Sequence, residues 1–450
     1  MPVGAAPLQR APKSETIAAT MGSVNGGSRR LSSHWRDVAW QSSGASLAQL
    51  VGIAGMPVLT RLYTPKDFAV QSLFLQVVTY ATALVTWRYE YFIQLPKSVD
   101  DVHALNRLVL VLGCIFVLVS TPVLWIFRNA FAIPLGNPDV APWLFLAPAT
   151  ALFFSWAVAA QNNAQRLADF RTSGLSELVG KLAYVSTGIV GALIYPGAVG
   201  LVITTAVAAI GKSGFVMLQR PIWGRAPLQT DAGAVRRVQR HYGRLATSTV
   251  VSHMLSTSAF AIPQVAIARL YGADVLGQFA LVMATVFLPS GLLGTAIGQV
   301  YYQRAAKQWA EGTGVSTLWR DMVHKLLMIG VPVYVAVALL SEVAYPFVFG
   351  GHWHLAGEFA KWMAIAAFVT FVSSPMDRTC LIVGAASYSI LWSVYRLLST
   401  LVLIWLAAVL GFSPLSFVIA FVAQMCLALG IDLWMSYRFS QGRMRIFARR

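Results

Sequence analysis

Charge is what this sequence has least of. Asp, Glu, Lys and Arg make up only 11% of its 450 residues, less than half the share usual in soluble globular chains. With 57% hydrophobic residues and a mean hydropathy of +0.64, that scarcity excludes an ordinary soluble domain. Cysteine is also rare. Cys114, Cys380 and Cys426 each sit alone in an apolar segment with no CxxC, which points to packing and not to a disulfide framework or a metal site. Catalytic signatures are missing as well: there is no HExxH, no GxSxG and no GxGxxG following a strand. "GKS" at 211–213 has Ala206 where a phosphate loop requires glycine. No large outer loop of the kind membrane sugar transferases and polymerases display is present, an argument by analogy of fold. No enzyme, cofactor or metal is therefore expected. His352 and His354 flank Trp353 in an outer loop, where an interfacial role is the expectation.

The apolar residues that remain fall into runs of membrane-crossing length. Twelve are legible, near 38–59, 68–94, 107–127, 141–163, 173–194, 197–218, 244–267, 275–301, 322–341, 356–376, 386–410 and 414–436. Turn chemistry separates many of them: Tyr63-Thr64-Pro65, Tyr195-Pro196-Gly197 and Gly411-Phe412-Ser413-Pro414. The expected class is all-α, a polytopic membrane protein. Its 14 Trp, 24 Phe and 15 Tyr suit aromatic belts at the two membrane surfaces.

The formal charge of +17 is scattered between apolar runs, as topology signals are, which argues against nucleic acid. Lys and Arg number 25 in the tails and even-numbered connections and four in the odd-numbered ones. By the positive-inside rule both termini are cytoplasmic. Residues 1–37 read as a disordered cytoplasmic tail without a signal-peptide core, with Met21 as an alternative start. Residues 38–218 and 244–437 read as two six-helix bundles, joined by a basic cytoplasmic linker, 219–243, and followed by a basic tail, 438–450. The linker is suited to anionic headgroups. "RLYTPKDFA" (61–69) and "RLYGADVLG" (269–277) align without a gap at an offset of 208, each closing a first helix and opening a second. Such repeats build transporters with a site between the halves.

Ionisable groups inside spans are costly and usually face protein or a water-filled cavity. Five are basic: Arg88, Lys181, Lys212, Lys361 and Arg396. Acidic groups are Glu90, Glu177 and Asp432, with Glu358 and Asp377 at the ends of span ten. The cationic excess favours an anionic substrate. Glu177 and Lys181 have the i, i+4 order of a local ion pair, while Lys212, Lys361 and Asp432 lie near span ends, where snorkelling is an equal reading. Arg396 stands ~15 Å into span eleven. Arg88 and Glu90 close span two, and on a helix they would point about 200° apart and need separate partners, as a gate between helices or as interface anchors. Gly294 and Gly298 form a GxxxG that permits close approach. Pro57, Pro122, Pro148, Pro263, Pro289 and Pro332 interrupt spans and make bending expected.

The stretch "SGASLAQLVGIAGMPVLTRLYTPKDFAVQSLFLQVVTYATALVTWRYEYFIQLPKSVDD" resembles the opening of Wzx-type lipid-linked oligosaccharide flippases. These belong to the multidrug/oligosaccharidyl-lipid/polysaccharide exporter superfamily, which also holds multidrug extruders and lipid II flippases. The matching residues are Pro57, Arg61-Leu62-Tyr63, Thr64 to Phe68 and Arg88-Tyr89-Glu90 before Leu95-Pro96. "RLYGADVLGQFAL" (269–281) is similar to the second-half equivalent. Ala69 departs from the glycine more frequent there. The resemblance implies twelve transmembrane helices in two bundles around a central cationic cavity. Through it an undecaprenyl-diphosphate oligosaccharide would cross the bacterial inner membrane by alternating access, for polysaccharide export (O-antigen, lipopolysaccharide or exopolysaccharide). Arg88, Lys181 and Arg396 would meet the diphosphate, with Glu90, Glu177, Asp377 and Arg378 as gate or coupling candidates. Membrane lipids, a polysaccharide polymerase and a chain-length regulator are the implied partners. An exporter of drugs or other lipids, and a membrane glycosyltransferase or polymerase, stand behind this reading.

Overall fold

The computed structural model describes residues 44–222, 231–377, 379–383 and 385–442. All regular structure among them is helical. The long helices are α1 (Gly44–Leu62), α2 (Pro65–Val85), α3 (Val99–Ile126), α4 (Ala147–Arg166), α5 (Phe170–Ile194) and α6 (Ala198–Gln219). After the linker come α7 (Ala232–Val286), α8 (Leu288–Ala310), α9 (Ser316–Phe349), α10 (His354–Ser373), α11 (Ala386–Leu410) and α12 (Pro414–Ser440).

Among the described residues, eleven helical segments are long and apolar enough to cross a membrane. One of them is double. At 55 residues, α7 would be about 80 Å long if straight, far more than one bilayer. Gly272 (φ 88°, ψ 177°) breaks it into two helices. The second runs on past Phe287 into α8, whose first turn holds Pro289. Span eight is therefore 273–310 with a bend, and the twelve-span reading stands.

Local chemistry sets the helix ends. Thr64 caps α2 through a reciprocal box with Asp67, and Pro65 occupies the first turn. Ser98, Asp169, Asp231 and Ser413 accept backbone N–H bonds at the starts of α3, α5, α7 and α12. Gly411, left-handed at φ 65°, ends α11.

Two of the boundaries that differ from the sequence reading bear on the site. Span two does not continue to residue 94; α2 stops at Val85. Trp87 (φ 52°) and Arg88 (φ 62°) are both left-handed, and a 3₁₀ turn, Tyr89–Phe92, follows. Of the apolar "YFIQL" (91–95), Phe92 and Ile93 are buried against protein, as is Tyr89 before it, which is why the stretch resembled more lipid-facing helix. The basic linker is also shorter in structure than 219–243, because α7 begins at Ala232. Its first turns pack on the first half of the chain: Val238 and Ala246 join Tyr89, Phe92, Leu105 and Leu108 in one apolar cluster. Tyr242 stacks on Phe92 at 5.6 Å, and Arg237 pairs with Asp101 at 2.8 Å.

The GxxxG glycines of α8 hold a turn close rather than another helix. A Cβ at Gly294 would lie 2.5 Å from Ser374 Oγ and one at Gly298 3.2 Å from Pro375 Cα.

Candidate functional site

The two halves are clamped together where α1 gives way to α2. Trp353, between α9 and α10, is fully buried and donates its Nε1–H to the Thr60 carbonyl at 2.9 Å. Phe68 meets its indole edge-to-face at 5.2 Å. Arg61 donates to the Phe347 carbonyl at 3.0 Å. Gln278 on α7 ties the same loop down, donating to His352 O at 2.6 Å and accepting from Ala356 N at 3.0 Å. Trp353 is thus a keystone, not the interfacial aromatic the sequence suggested. The short sequence "GHWHL" carries no signal of its distant partner.

Both Arg-Leu-Tyr repeats end at this closed seam. Tyr63 donates to Gly188 O at 2.7 Å, while Tyr271 packs on Phe417 at 5.8 Å. They hold the first helix of each half against its own lobe.

At the far end of α2, the left-handed turn changes how Arg88 and Glu90 must be understood. They are not on a helix, so the 200° divergence does not apply. Glu90 is 1% exposed; Thr86 Oγ1 donates to its carboxylate, and Asn162 donates to its carbonyl at 2.8 Å. Burial pushes the Glu90 carboxyl up to about 7, against the opposing pull of the Thr86 hydrogen bond and the Arg88 charge. Arg88 lies over the Tyr91 ring at 4.3 Å, and its buried Nε has no hydrogen-bond partner among the described residues. Its charge also acts on His253 of α7.

The remaining in-span charges sort into two kinds. Glu177 pairs with Lys212 on α6 at 2.6 Å and accepts from Gln161 at 3.0 Å. That corrects the expected pair with Lys181. The reason is tertiary: Gly180 lets α6 approach until a Cβ there would sit 3.0 Å from Lys212 Cβ. Lys361 pairs with Glu342 at 3.0 Å. Lys181 has no ion pair among the described residues; its stem lies against Gly52 of α1 and its Nζ over the Tyr184 ring at 5.3 Å. Arg396 is half-buried, with its guanidinium 5.2 Å from the Phe260 ring on α7. Beside it a small cleft is formed with Thr400, Gln424 and Met425. Its side chain makes no hydrogen bond with a described residue, although the charges of Asp377 and Asp432 act on it.

Asp432, read from sequence as a possible snorkelling group, is 6% exposed. It accepts a hydrogen bond from Tyr388 at 2.9 Å and is joined to Asp377. Tyr388 was not legible as a partner, because it looks like any aromatic of an apolar run. Arg378 lies outside the described residues. Phe260 and His253 stand seven apart on α7, hence on one face about 10 Å from each other. Arg396 lies over Phe260, and the charge of Arg88 acts on His253 of the same helix. Lys181 lies on a different helix, α5, with its neighbours on α1 and α5.

A family model described as "Polysaccharide biosynthesis protein" matches residues 58–357. The chain belongs to that family. No curated protein matches it. Among solved structures, the lipid II flippase MurJ in an inward closed conformation superposes with a TM-score of 0.68 at 11% identity, covering 90% of this chain and 91% of that one. A MOP-superfamily transporter from Pyrococcus furiosus gives 0.61 at 15% identity, covering 90% and 95%. An inward-facing multidrug resistance MATE transporter of the same superfamily gives 0.59 at 12%, also covering 90% and 95%. The fold is thus the two-lobed one of that superfamily, as the resemblance in residues 43–101 implied.

Proposed function

We propose that this protein is a flippase that moves an undecaprenyl-diphosphate-linked oligosaccharide across the bacterial inner membrane by alternating access. Both termini are cytoplasmic on this reading, since 25 Lys and Arg lie in the tails and even-numbered connections against four in the others. The clamp around Trp353 then closes the outer end. Residues 38–218 and 244–437 act as the two moving bundles.

One observation carries the proposal. Of the five basic residues inside the predicted spans, Lys212 and Lys361 are neutralised by Glu177 and Glu342. Arg88, Lys181 and Arg396 have no ion pair with a described residue. A buried or half-buried cation without a carboxylate partner is costly unless an anion arrives. Guanidinium groups match phosphate geometry, and the diphosphate is the constant part of a substrate whose glycan varies. Glu90 and the Asp377–Asp432 pair, with Arg378, are the groups suited to gating or coupling. A polymerase and a chain-length regulator are the partners that would take up the exported oligosaccharide.

Export in cells tests this. Arg396→Ala should abolish surface polysaccharide while inserted protein stays at its normal level, and Arg396→Lys should restore part of it. Normal export by Arg396→Ala removes Arg396 from the pathway.

A further inference from the structure

A second site lies at the opposite end of α2 from the clamp around Trp353. At the end of the bundle where α2 stops and α7 starts, a groove of about 680 Å³ opens sideways between α2, α3 and α7. Its volume falls within the range of small-molecule pockets, about 300–1,000 Å³. One wall is a stripe of α3, Leu112, Ile115, Phe116 and Val119, spaced i, i+3, i+4, i+7 on one face. The other wall is a stripe of α7, Gln239, Gly243 and Thr247, spaced i, i+4, i+8. Leu84, Val85 and Trp87 line it from α2 and the turn after it. Trp87 donates its indole N–H to Thr247 at 3.1 Å, which fixes the two sides against each other.

A basic ridge runs alongside. Arg236, Arg240 and Arg244 repeat at i, i+4, i+8, so Arg240 and Arg244 each follow a groove residue by one position. All three are exposed, and none makes an ion pair with a described residue. Their neighbour Arg237 is held by Asp101. The arrangement is an apolar slot with positive charge along one lip.

We propose that this groove binds an anionic glycerophospholipid from the surrounding leaflet, with an acyl chain along the α3 stripe and its phosphate on Arg240 and Arg244. Charge complementarity selects the head, since exposed basic residues near a membrane surface attract anionic lipid. The apolar α3 wall, with Leu84, Val85 and Trp87, admits the chain. No residue of α8 to α12 lines the groove, and neither Lys181 nor Arg396 does; it is distinct from the clamp around Trp353 at the other end of α2. A lipid seated here bridges α3 to the first turns of α7, the segment that tethers the second half of the chain to the first.

The test uses the full chain in vesicles doped with either phosphatidylglycerol or phosphatidylcholine carrying a diazirine on one acyl chain. Phosphatidylglycerol should crosslink to peptides containing Leu112–Val119 and Gln239–Thr247, on the order of tenfold more than phosphatidylcholine. Arg240→Gln with Arg244→Gln should bring the two lipids level. Val119→Trp, at a position 60% exposed, should fill the slot and lower crosslinking of both. Equal labelling by the two lipids in the unaltered protein overturns the proposal, as does undiminished preference in the double arginine variant. Displacement of phosphatidylglycerol by equimolar undecaprenyl phosphate also overturns it, and would make the groove a carrier-lipid site instead.

Discussion

Gly277 lies directly against the backbone carbonyl of Pro65: a Cβ added to it would stand 1.7 Å from that oxygen. The contact joins the first turn of α2 to the helix that follows Gly272, so the opening residues of the second helix in each half touch. The aligned residue in the first half is Ala69, itself fully buried. The repeat therefore keeps a small residue at this place for a steric reason. Because the obstacle is backbone, no rotamer change can relieve it. Gly277→Val should part the two helices and lower the thermal midpoint of the detergent-purified protein by the equivalent of about 1–3 kcal/mol. Gly277→Ala should fall between that and the unaltered protein.

Trp353 closes the same seam with a hydrogen bond and a ring contact, and the two can be separated. Trp353→Phe keeps an aromatic against Phe68 but loses the bond to the Thr60 carbonyl, and should cost about 1 kcal/mol. Trp353→Ala loses both and leaves a cavity, costing about 3–5 kcal/mol. Equal melting temperatures for the two variants would show that the hydrogen bond, and not the ring, holds the seam.

The pairing of Glu177 makes a separate prediction. Glu177→Gln should leave Lys212 half-buried without its counter-charge and reduce the amount of folded protein recovered. Exchanging the two residues, Glu177→Lys with Lys212→Glu, should restore recovery. If exchange with Lys181 restores it instead, the ion pair runs along α5 and not across to α6.

Glu90 should leave a mark on stability against pH. Its carboxyl titrates near 7 when folded, above the ordinary range of about 4.3 for an exposed glutamate. The folded state therefore holds the proton more tightly than the unfolded state. The stabilisation is complete below the ordinary carboxylate pKa and is lost as pH rises through about 7. Thermal midpoints measured from pH 5 to 8 should fall with pH in the unaltered protein, and fall less in Glu90→Gln. Parallel curves for the two would place the titration elsewhere.

Much of this architecture was legible because lipid imposes length and polarity limits on each span. The turns "YTP", "YPG" and "GFSP" all fall between helices, since Pro, Gly and capping hydroxyls act locally. The end of α2 was not legible. Its turn is made by Thr86, Trp87 and Arg88, with neither Pro nor Gly among them, and Phe92 and Ile93 beyond it are buried in protein instead of lipid. Charge partners were the least legible part. Lys212 is 35 positions from Glu177, and Tyr388 is 44 from Asp432; helix packing decides such pairs, and spacing along the chain does not reveal them. The residues left over after that pairing are Arg88, Lys181 and Arg396, which the family resemblance implies as substrate contacts and which are proposed above to meet the diphosphate.

The most direct measurement of the central claim uses purified full-length protein in sealed vesicles with a fluorescent undecaprenyl-diphosphate oligosaccharide in one leaflet. The intact labelled lipid should reach the other leaflet faster than in empty vesicles. Arg396→Ala should slow this movement by about tenfold or more, the loss of at least about 1.4 kcal/mol of interaction. Transfer of the sugar to another acceptor, or movement no faster than in empty vesicles, would contradict it.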